Sequence, residues 1–317
     1  MVKQAEPRSG GRPDSLTLIA FAVVVVLGGL NFVAVKLSNR GLEPFFGAGI
    51  RFLAASLLLF VYMVARRLPR PSRSEWIGIS LYGILGFAAF YAFGYRALVR
   101  LPAAVGAVIA SSVPLVTMVL ARIHKLEPFT LRGALGAAMA IAGIGIMIGS
   151  PANLSLPIIP VLALFGAVLA DSELNVVVKK FPTGHPVTAN AFAMLIGATL
   201  LLVLSKIWGE RWVVPSGADT WAALIYLVLG GSIALFVLYI WTIKRWTASG
   251  MSYMFVLMPL ISVSVGAWLL DEKITLPVLI GGLVILAGVY LGALSGKQAA
   301  KQAPTAESFE KGCPQSI

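Results

Sequence analysis

Ten long runs of apolar residues, separated by short polar segments, make up most of this chain of 317 residues. Each run is about 20 residues long, which is the length that an α-helix needs to cross the hydrocarbon core of a bilayer. The pattern therefore predicts an all-α membrane protein with ten transmembrane helices. The predicted helices are Leu16–Val35, Pro44–Ala65, Trp76–Tyr95, Ala103–Ala121, Leu131–Gly149, Pro157–Val178, Pro186–Lys206, Trp221–Trp241, Ala248–Leu270 and Leu276–Leu294.

The second half of the chain repeats the first at a fixed offset of 145 residues, so that Pro114 matches Pro259 and Glu127 matches Glu272. A period this long in an apolar chain indicates two copies of one membrane unit. Because each copy holds five spans, an odd number, we expect the second copy to be inserted upside down. Other matching pairs are Thr130 and Thr275, Gly136 and Gly281, and Gly143 and Gly288.

The repeat divides the chain into four parts. Residues 1–15 form a polar tail, residues 16–149 the first repeat, residues 157–294 the second repeat, and residues 295–317 a second polar tail. Most of the 25 lysines and arginines fall on one side if the N-terminus is cytoplasmic, as insertion energetics favour. We therefore expect a multi-pass protein of the inner (plasma) membrane with both termini in the cytoplasm.

Composition narrows the function classes. The chain is 58% hydrophobic and only 12% charged, whereas charged residues make up about a quarter of a soluble domain. Its one cysteine, Cys313, lies in the C-terminal tail, and His124 and His185 lie in predicted loops, so we expect no metal site and no cofactor. The net charge of +12 is concentrated in predicted inner loops and tails, which indicates contact with anionic lipid and not with nucleic acid.

Pro114 and Pro259 lie near the middle of their predicted spans and match under the repeat. A proline lacks an amide hydrogen and clashes with the carbonyl four residues earlier, so each position predicts a kink. In hydrocarbon, the freed carbonyl must be satisfied by protein or by water in a cavity. The two kinks either improve helix packing or line a central cavity, and the matching positions favour the cavity.

Two acidic residues at predicted span ends are interpreted as structural. Glu127 precedes Thr130, and Glu272 precedes Thr275, at the same spacing. Both segments are typical of a helix end followed by a threonine N-cap of the next helix. At such a position a carboxylate reaches the membrane interface or caps a neighbouring helix.

Ionisable residues within spans are the next signal, because burying a charge in a membrane costs a few kcal/mol or more. Asp171 and Asn175 share one helix face at a spacing of four residues, and we expect Asp171 either to line a cavity or to form a buried ion pair. Glu173 lies on another face and indicates helix packing. Arg51 is expected to extend to the outer interface or to pair with Glu43.

Aromatic residues cluster at related positions of the third and eighth spans. Tyr91 and Tyr95 are four residues apart on one helix face, and the repeat counterpart of that helix carries Tyr239 and Trp241. These residues either belong to an interfacial belt or contact an amphipathic metabolite. The residues proposed to line a substrate cavity are Asn31, Tyr91, Tyr95, Ser111, Asp171, Asn175, Tyr239 and Trp241.

Short motifs in both halves resemble the drug/metabolite transporter superfamily, and more narrowly its ten-helix EamA-domain branch. The resemblance covers residues 16–294 and implies a cavity formed by helices one, three, four, six, eight and nine. It also implies export of small metabolites, including amino acids, by alternating access. The motifs are Leu98-x-x-Leu-x-Ala-Ala-x-x-Ala, Val113-Pro114, Leu126-Glu127-x-x-Thr130 and Gly136-x-x-x-x-x-Ala142-Gly143, with Met258-Pro259, Asp271-Glu272-x-x-Thr275 and Gly281-x-x-x-x-x-Ala287-Gly288 in the second half.

The favoured function is therefore secondary transport of a small, partly apolar metabolite. The sequence lacks a glycine-rich phosphate loop of the Walker type, so ATP is not expected to drive it directly. Asp171 offers a route for proton coupling, and facilitated diffusion is the alternative. Three alternative hypotheses remain: a channel, a scaffold for other membrane proteins, and a membrane-embedded enzyme. The sequence shows neither the repeated selectivity-filter residues of a channel nor a set of catalytic residues. Glycine-rich spans five and ten leave a homodimer open.

Overall fold

The computed structural model describes residues 14–124, 131–148, 156–182, 184–243 and 248–291. The helices within these residues group into ten, α1 to α10, which confirms an all-α membrane fold. Four of them, α1, α2, α7 and α9, are continuous over their whole predicted span, and two, α3 and α8, change helix type midway. The bounds are α1 Ser15–Ser38, α2 Pro44–Ala65, α3 Glu75–Leu98, α4 Ala103–Ala110 with Val113–Ile123, α5 Leu131–Ile148, α6 Ile158–Lys180, α7 Pro186–Ile207, α8 Ala218–Val228 through Leu235–Ile243, α9 Ala248–Leu270 and α10 Leu276–Val289.

Several of these helices begin at residues that suit a helix start. The carboxylate of Asp14 accepts a hydrogen bond from the amide of Thr17 at 3.1 Å and caps α1. Pro44 and Pro186 open α2 and α7, where the missing amide hydrogen has no cost because first-turn amides lack helical partners. Thr275 is the residue before α10, although its side chain makes no capping hydrogen bond.

Equivalent helices of the two halves make equivalent contacts. Helix α2 packs mainly against its repeat counterpart α7, and α5 packs against its counterpart α10. Likewise, α1 packs against α8 and α9, while α6 packs against α3 and α4. Small residues allow the α5–α10 contact, since a Cβ added to Gly143 would lie 2.6 Å from the Gly281 carbonyl oxygen. Three clusters of buried apolar residues result, and each contains residues of both halves.

Two related helices, α3 and α8, each contain a π-helical segment. The segments are Gly83–Ala89 in α3 and Leu229–Ala234 in α8, and the offset of 145 residues superimposes one on the other. A π-helical turn is unusual and is frequent at functional sites, because it carries an extra residue and changes the helical hydrogen-bond pattern. The hydropathy pattern gave no sign of either segment, since both are as apolar as their surroundings.

The structure differs from the sequence prediction at Pro114. Instead of a kink inside a continuous helix, α4 is interrupted at Ser111 and Ser112, and Pro114 is the second residue of the following helical segment. The two serine hydroxyls donate to the carbonyls of Val108 and Ile109 at 2.6 and 2.7 Å. Local side-chain hydrogen bonds of this kind compete with helical ones, and together with the proline they end the helix. Pro259, in contrast, lies inside α9.

The outer surface of the bundle suits a bilayer. Within the described residues, five helices are long and apolar enough to cross a membrane: α1, α2, α3, α7 and residues Ala218–Tyr239 of α8. Their outward-facing side chains are large and apolar, for example Leu57, Val61 and Val64 of α2. Such residues would be costly in water and are favourable in lipid. The chain is therefore a multi-pass membrane protein.

Candidate functional site

A buried arginine forms the centre of the polar interior. The sequence suggested that Arg51 would extend to the interface or pair with Glu43, but its side chain is 0% exposed. Its Nε donates to Ser232 Oγ at 2.9 Å, Nη1 to the Tyr95 hydroxyl at 3.3 Å, and Nη2 to the Gly231 carbonyl at 3.0 Å. The guanidinium is thus held by α3 and by the π-helical segment of α8.

Asn31 of α1 joins the same group. Its Nδ2 donates to the Gly231 carbonyl at 3.2 Å, so that one carbonyl accepts from both Asn31 and Arg51. The Oδ1 of Asn31 is buried and has no hydrogen-bond partner among the described residues. Buried polar atoms are usually satisfied, and an exception calls for a water molecule or a ligand. A binding site at this point would therefore contain both donors and an acceptor.

Aromatic side chains surround this polar group. The Arg51 guanidinium carbon lies 4.8 Å from the ring centroid of Phe52 and 5.1 Å from that of Tyr91. Phe52 packs edge-on against both Phe87 and Tyr91, with centroids 5.0 and 4.5 Å apart, and Phe87 lies 5.6 Å from Phe236. Contacts between a cation and aromatic faces are favourable, especially away from water. The site therefore combines one positive charge with an extended aromatic wall.

Asp171 of α6 brings a negative charge to the other side of the aromatic cluster. Its side chain is partly buried, and it lies near Tyr82, Tyr91 and Tyr239. The next residue, Ser172, is buried and donates to the Val113 carbonyl at the interruption of α4, at 3.2 Å. Asp171 thus lies where α3, α4, α6 and α8 come together.

A cavity of about 220 Å³ opens beside this cluster, at the end of the bundle where α7 begins. The resemblance implied a cavity formed by helices one, three, four, six, eight and nine; this one shares only α8 with that set and lies between α2, α7 and α8. Ser232, the partner of Arg51, forms part of its wall, and so does Asn190, which accepts from the Tyr82 hydroxyl at 2.8 Å. The lining residues are Leu59, His185, Pro186, Val187, Asn190, Ser232, Ile233, Phe236, Val237 and Trp241.

The opposite end of the bundle is closed by a polar cluster. Asp271 adopts a left-handed backbone with φ 54°, which ends α9 and turns Glu272 back toward the bundle. The Lys36 Nζ lies 2.8 Å from Glu272 Oε1, and the amides of Ala103 and Ala104 donate to Glu272 at 2.8 and 3.4 Å. A carboxylate at a helix N-terminus is stabilised by the free amides and the helix dipole. Glu272 therefore joins the ends of α1, α4 and α9.

A second carboxylate acts in the same way close by. Glu210, in the loop after α7, accepts hydrogen bonds from the amides of Phe45 and Phe46 at 3.0 and 2.8 Å. Both amides belong to the first turn of α2, which otherwise has no acceptor. Arg96 covers the ring of Trp208 at 5.4 Å at this end of the bundle. These contacts fix the ends of α2, α3 and α7 relative to one another.

The residues predicted from sequence fall in different places. Asn31, Tyr91 and Tyr95 surround Arg51, Trp241 lines the cavity, and Tyr239 lies near Asp171. Ser111 is buried at the interruption of α4, where its hydroxyl bonds within its own helix. Asn175 belongs to α6, but its side chain is not among those described, and Glu127 and Thr130 lie outside the described residues.

Three residues of the site were not predicted as such: Arg51, Asn190 and Ser232. For Arg51 the available signal was an ionisable residue inside an apolar span, which indicates function by default. Serine and asparagine in an apolar span carry a weaker signal, because they also occur as packing residues between membrane helices. Glu173, which the sequence assigned to helix packing, contacts His124 at 3.0 Å, where α4 ends.

Comparison with known proteins gives the family. Residues 15–149 and 158–293 each match the profile of the EamA-like transporter family. An uncharacterized transporter of Archaeoglobus fulgidus is 28% identical over 88% of this chain and 97% of its own length. The uncharacterized inner membrane transporter YedA of Escherichia coli is 29% identical over 80% of this chain and 83% of its own length.

Two further proteins are similar to most of this chain, one in sequence and one in fold. A chloroplastic WAT1-related protein of Arabidopsis thaliana is 26% identical over 89% of this chain and 70% of its own length. A solved crystal structure with 20% identity superimposes with a TM-score of 0.61, covering 89% of this chain and 99% of that one. With two matching segments that together span most of the sequence, the chain belongs to the EamA-like transporter family and is a membrane transporter, not an enzyme.

Proposed function

We propose that this protein is a secondary transporter that exports small, partly apolar metabolites such as amino acids by alternating access. One observation carries the proposal. The buried group of Arg51, Asn31 and Ser232 lies between a cavity at one end of the bundle and the Lys36–Glu272 closure at the other. Transport by alternating access requires such an arrangement, with a central site open to one side only.

The direction of opening follows from the distribution of positive charge. If both termini are cytoplasmic, the arginine-rich loop of residues 66–74 and the start of α7 face the cytoplasm, as the positive-inside rule favours. The cavity at His185 and Pro186 then opens to the cytoplasm, and the Lys36–Glu272 pair closes the outer side. The described conformation is inward-facing under this proposal, which suits loading of a cytoplasmic solute at an inner (plasma) membrane.

The related π-helical segments of α3 and α8 supply places where the halves could change shape. The segment of α8 holds the Arg51 partners Gly231 and Ser232, so rearrangement of its hydrogen bonds would change the site directly. The segment of α3 packs closely against α7: a Cβ added to Gly83 would lie only 2.8 Å from the Ala193 carbonyl oxygen. Two such segments at matching positions of the two halves suit an exchange between two related conformations. One chain supplies all of these parts, so the mechanism does not require a dimer.

Transport by purified protein in liposomes tests the proposal. Proteoliposomes loaded with unlabelled leucine, phenylalanine or another small metabolite should accumulate the labelled solute by counterflow, with saturation, whereas protein-free liposomes should not. Repeating uptake with and without an imposed proton gradient separates coupled transport from facilitated diffusion. Flux that does not saturate and shows no counterflow would favour a channel, and absence of flux for the whole panel would contradict the proposal.

A further inference from the structure

Arg51 carries a buried positive charge whose described partners are all neutral. It lies seven residues after Pro44, or about 10 Å along α2 at 1.5 Å per residue, and its side chain is 0% exposed. Its hydrogen bonds go to two hydroxyls and one carbonyl, and its other close contacts are two aromatic rings. Arginine stays protonated under physiological conditions, so this charge cannot be removed by loss of a proton.

The carboxylates of the described residues are engaged elsewhere or lie beyond hydrogen-bond contact with the guanidinium. Glu272 pairs with Lys36, Glu173 contacts His124, and Glu210 caps α2. Asp171 lies on α6, near Tyr91. Burial of a charge in a membrane protein is unfavourable unless an opposite charge or water compensates it. The surroundings of Arg51 therefore favour the arrival of an anion.

Some N–H groups of Arg51 are not used by the acceptors described above. A guanidinium carries five N–H groups, and three of them have described acceptors, in Ser232, Tyr95 and Gly231. For the other two N–H groups no acceptor among the described residues meets hydrogen-bond geometry, although Tyr91 lies beside the guanidinium. Two is the number of N–H groups that a carboxylate accepts in a bidentate pair. The buried Oδ1 of Asn31, next to Gly231, adds an acceptor without a partner among the described residues.

The path to Arg51 favours one class of ligand. Ser232, which accepts from Arg51, forms part of the cavity wall, and Phe236 of the same wall packs against Phe87. A ligand that enters the cavity meets apolar and aromatic side chains before it reaches the guanidinium. A single arginine balances one negative charge, whereas a dianionic phosphate would leave one negative charge unpaired in this apolar surrounding.

We propose that Arg51 is the specificity-determining residue of this transporter and binds the carboxylate of a substrate that has one carboxylate group and an aromatic or branched aliphatic body. The proposal rests on the proposed transport function and adds its substrate class. When the substrate binds, its carboxylate takes the two remaining N–H groups of Arg51 and displaces no described ion pair. The body of the substrate lies against the aromatic cluster of Phe52, Phe87, Tyr91 and Phe236.

Matched pairs of acids and amides test this proposal in the purified full-length protein. The probes are phenylalanine, 3-phenylpropionate and 4-methylpentanoate, each compared with its carboxamide. For the wild type, at least one acid should raise the melting temperature and show counterflow, and its amide should do so about tenfold less well, since hydrogen bonds to charged groups are strong. Equal binding and transport of acid and amide would overturn the proposal while leaving transport itself established.

Variants of Arg51 separate recognition from folding. Arg51→Met should keep or raise the melting temperature, because it removes an uncompensated charge, and should lose the difference between acid and amide. Arg51→Lys keeps the charge but lacks the planar fork, so it should retain the preference for the acid with an affinity about tenfold lower. Arg100→Met removes an exposed arginine just after α3, at the same end of the bundle, and should change neither property.

Three results would contradict the assignment. One is a marked fall in the melting temperature of Arg51→Met and of Arg51→Lys without ligand, which would indicate a structural charge. Another is an unchanged preference for acids in Arg51→Met. The last is failure of every acid to stabilise the wild type at millimolar concentration. If the acids stabilise the protein in an Arg51-dependent way but no solute is transported, the carboxylate site stands and the proposed transport function fails.

Discussion

Lys36 and Glu272 belong to different halves of the chain, and their ion pair joins the halves, with 2.8 Å between Lys36 Nζ and Glu272 Oε1. Glu272 Oε1 also accepts from the amide of Ala103. The Glu272 side chain is only 6% exposed and that of Lys36 25%, so water weakens this pair less than it would a surface pair. An ion pair that links α1, α4 and α9 at one end must break if that end opens.

Weakening this closure should loosen one end of the bundle. We expect Glu272→Gln to lower stability by about 1–3 kcal/mol, because Lys36 loses its charged partner and the helix start loses a charged acceptor. In a Cys313→Ser background, a cysteine at buried Ala104 should also react faster with an impermeant maleimide. Thermal melting and labelling rates measure the two effects. The matched control is Lys273→Gln, at an exposed neighbour. If both variants changed the melting temperature and the labelling rate equally, Glu272 would have no specific role in closing this end.

Gly231 should tolerate no side chain. A Cβ at this position would overlap Asn31 Oδ1 and lie 3.2 Å from Arg51 Nη2, so Gly231→Ala should cost about 1–3 kcal/mol and reduce transport. The control is Gly94→Ala in α3, where an added Cβ meets nothing within 4 Å and alanine is the better helix former. Thermal melting of both variants checks this.

A double mutant shows whether the contact with Asn31 is responsible. Asn31→Ala removes the overlapping oxygen, so its combination with Gly231→Ala should be more stable than the sum of the single effects predicts. Residues in direct contact usually show such coupling. Additive losses would mean that Gly231 is needed for another reason.

The sequence was sufficient to predict the ten helices because each repeat carries five apolar runs of spanning length, bounded by polar loops. The surroundings of Arg51 could not be predicted in the same way. Its partners Tyr95 and Ser232 lie 44 and 181 positions away, and Ser232 reaches it through a π-helical segment that hydropathy does not reveal. Pro114 shows a similar limit, since its sequence neighbourhood indicates a kink and the hydroxyls of Ser111 and Ser112 produce an interruption.

Labelling of two exposed loops tests the orientation of the chain in the membrane. Ser72 lies between α2 and α3, and Ser216 lies between α7 and α8. If the second half is inverted and both termini are cytoplasmic, single cysteines at Ser72 and Ser216 in a Cys313→Ser background should react from opposite sides. Only Ser216→Cys should be labelled by an impermeant reagent added to intact cells. Labelling of Ser72→Cys alone would reverse the proposed orientation, and labelling of both would contradict the inverted arrangement.

The two matched prolines should affect transport more than stability. Pro114 follows the interruption of α4, and Pro259 lies within α9. Alanine restores an amide donor and suits a helix, so Pro114→Ala and Pro259→Ala should each keep the melting temperature or raise it, while transport falls. Counterflow and thermal melting of the same samples provide the comparison. Normal transport in both variants, at normal expression, would make the prolines packing residues.

Asp171 distinguishes a transport role from a structural one. It lies near Tyr82, Tyr91 and Tyr239, within the same aromatic cluster that contacts Arg51. If Asp171 carries a proton or binds an ammonium group of the substrate, Asp171→Asn should keep the fold and lower transport about tenfold or flatten its pH dependence, because asparagine neither titrates nor carries charge. If it instead compensates a buried cation, the variant should lose several kcal/mol of stability.

Asp219→Asn, at an exposed aspartate in the first turn of α8, is the control and should behave as the wild type. Transport measured from pH 5.5 to 8, alongside thermal melting, decides between the two roles, and no change in either measurement would exclude both.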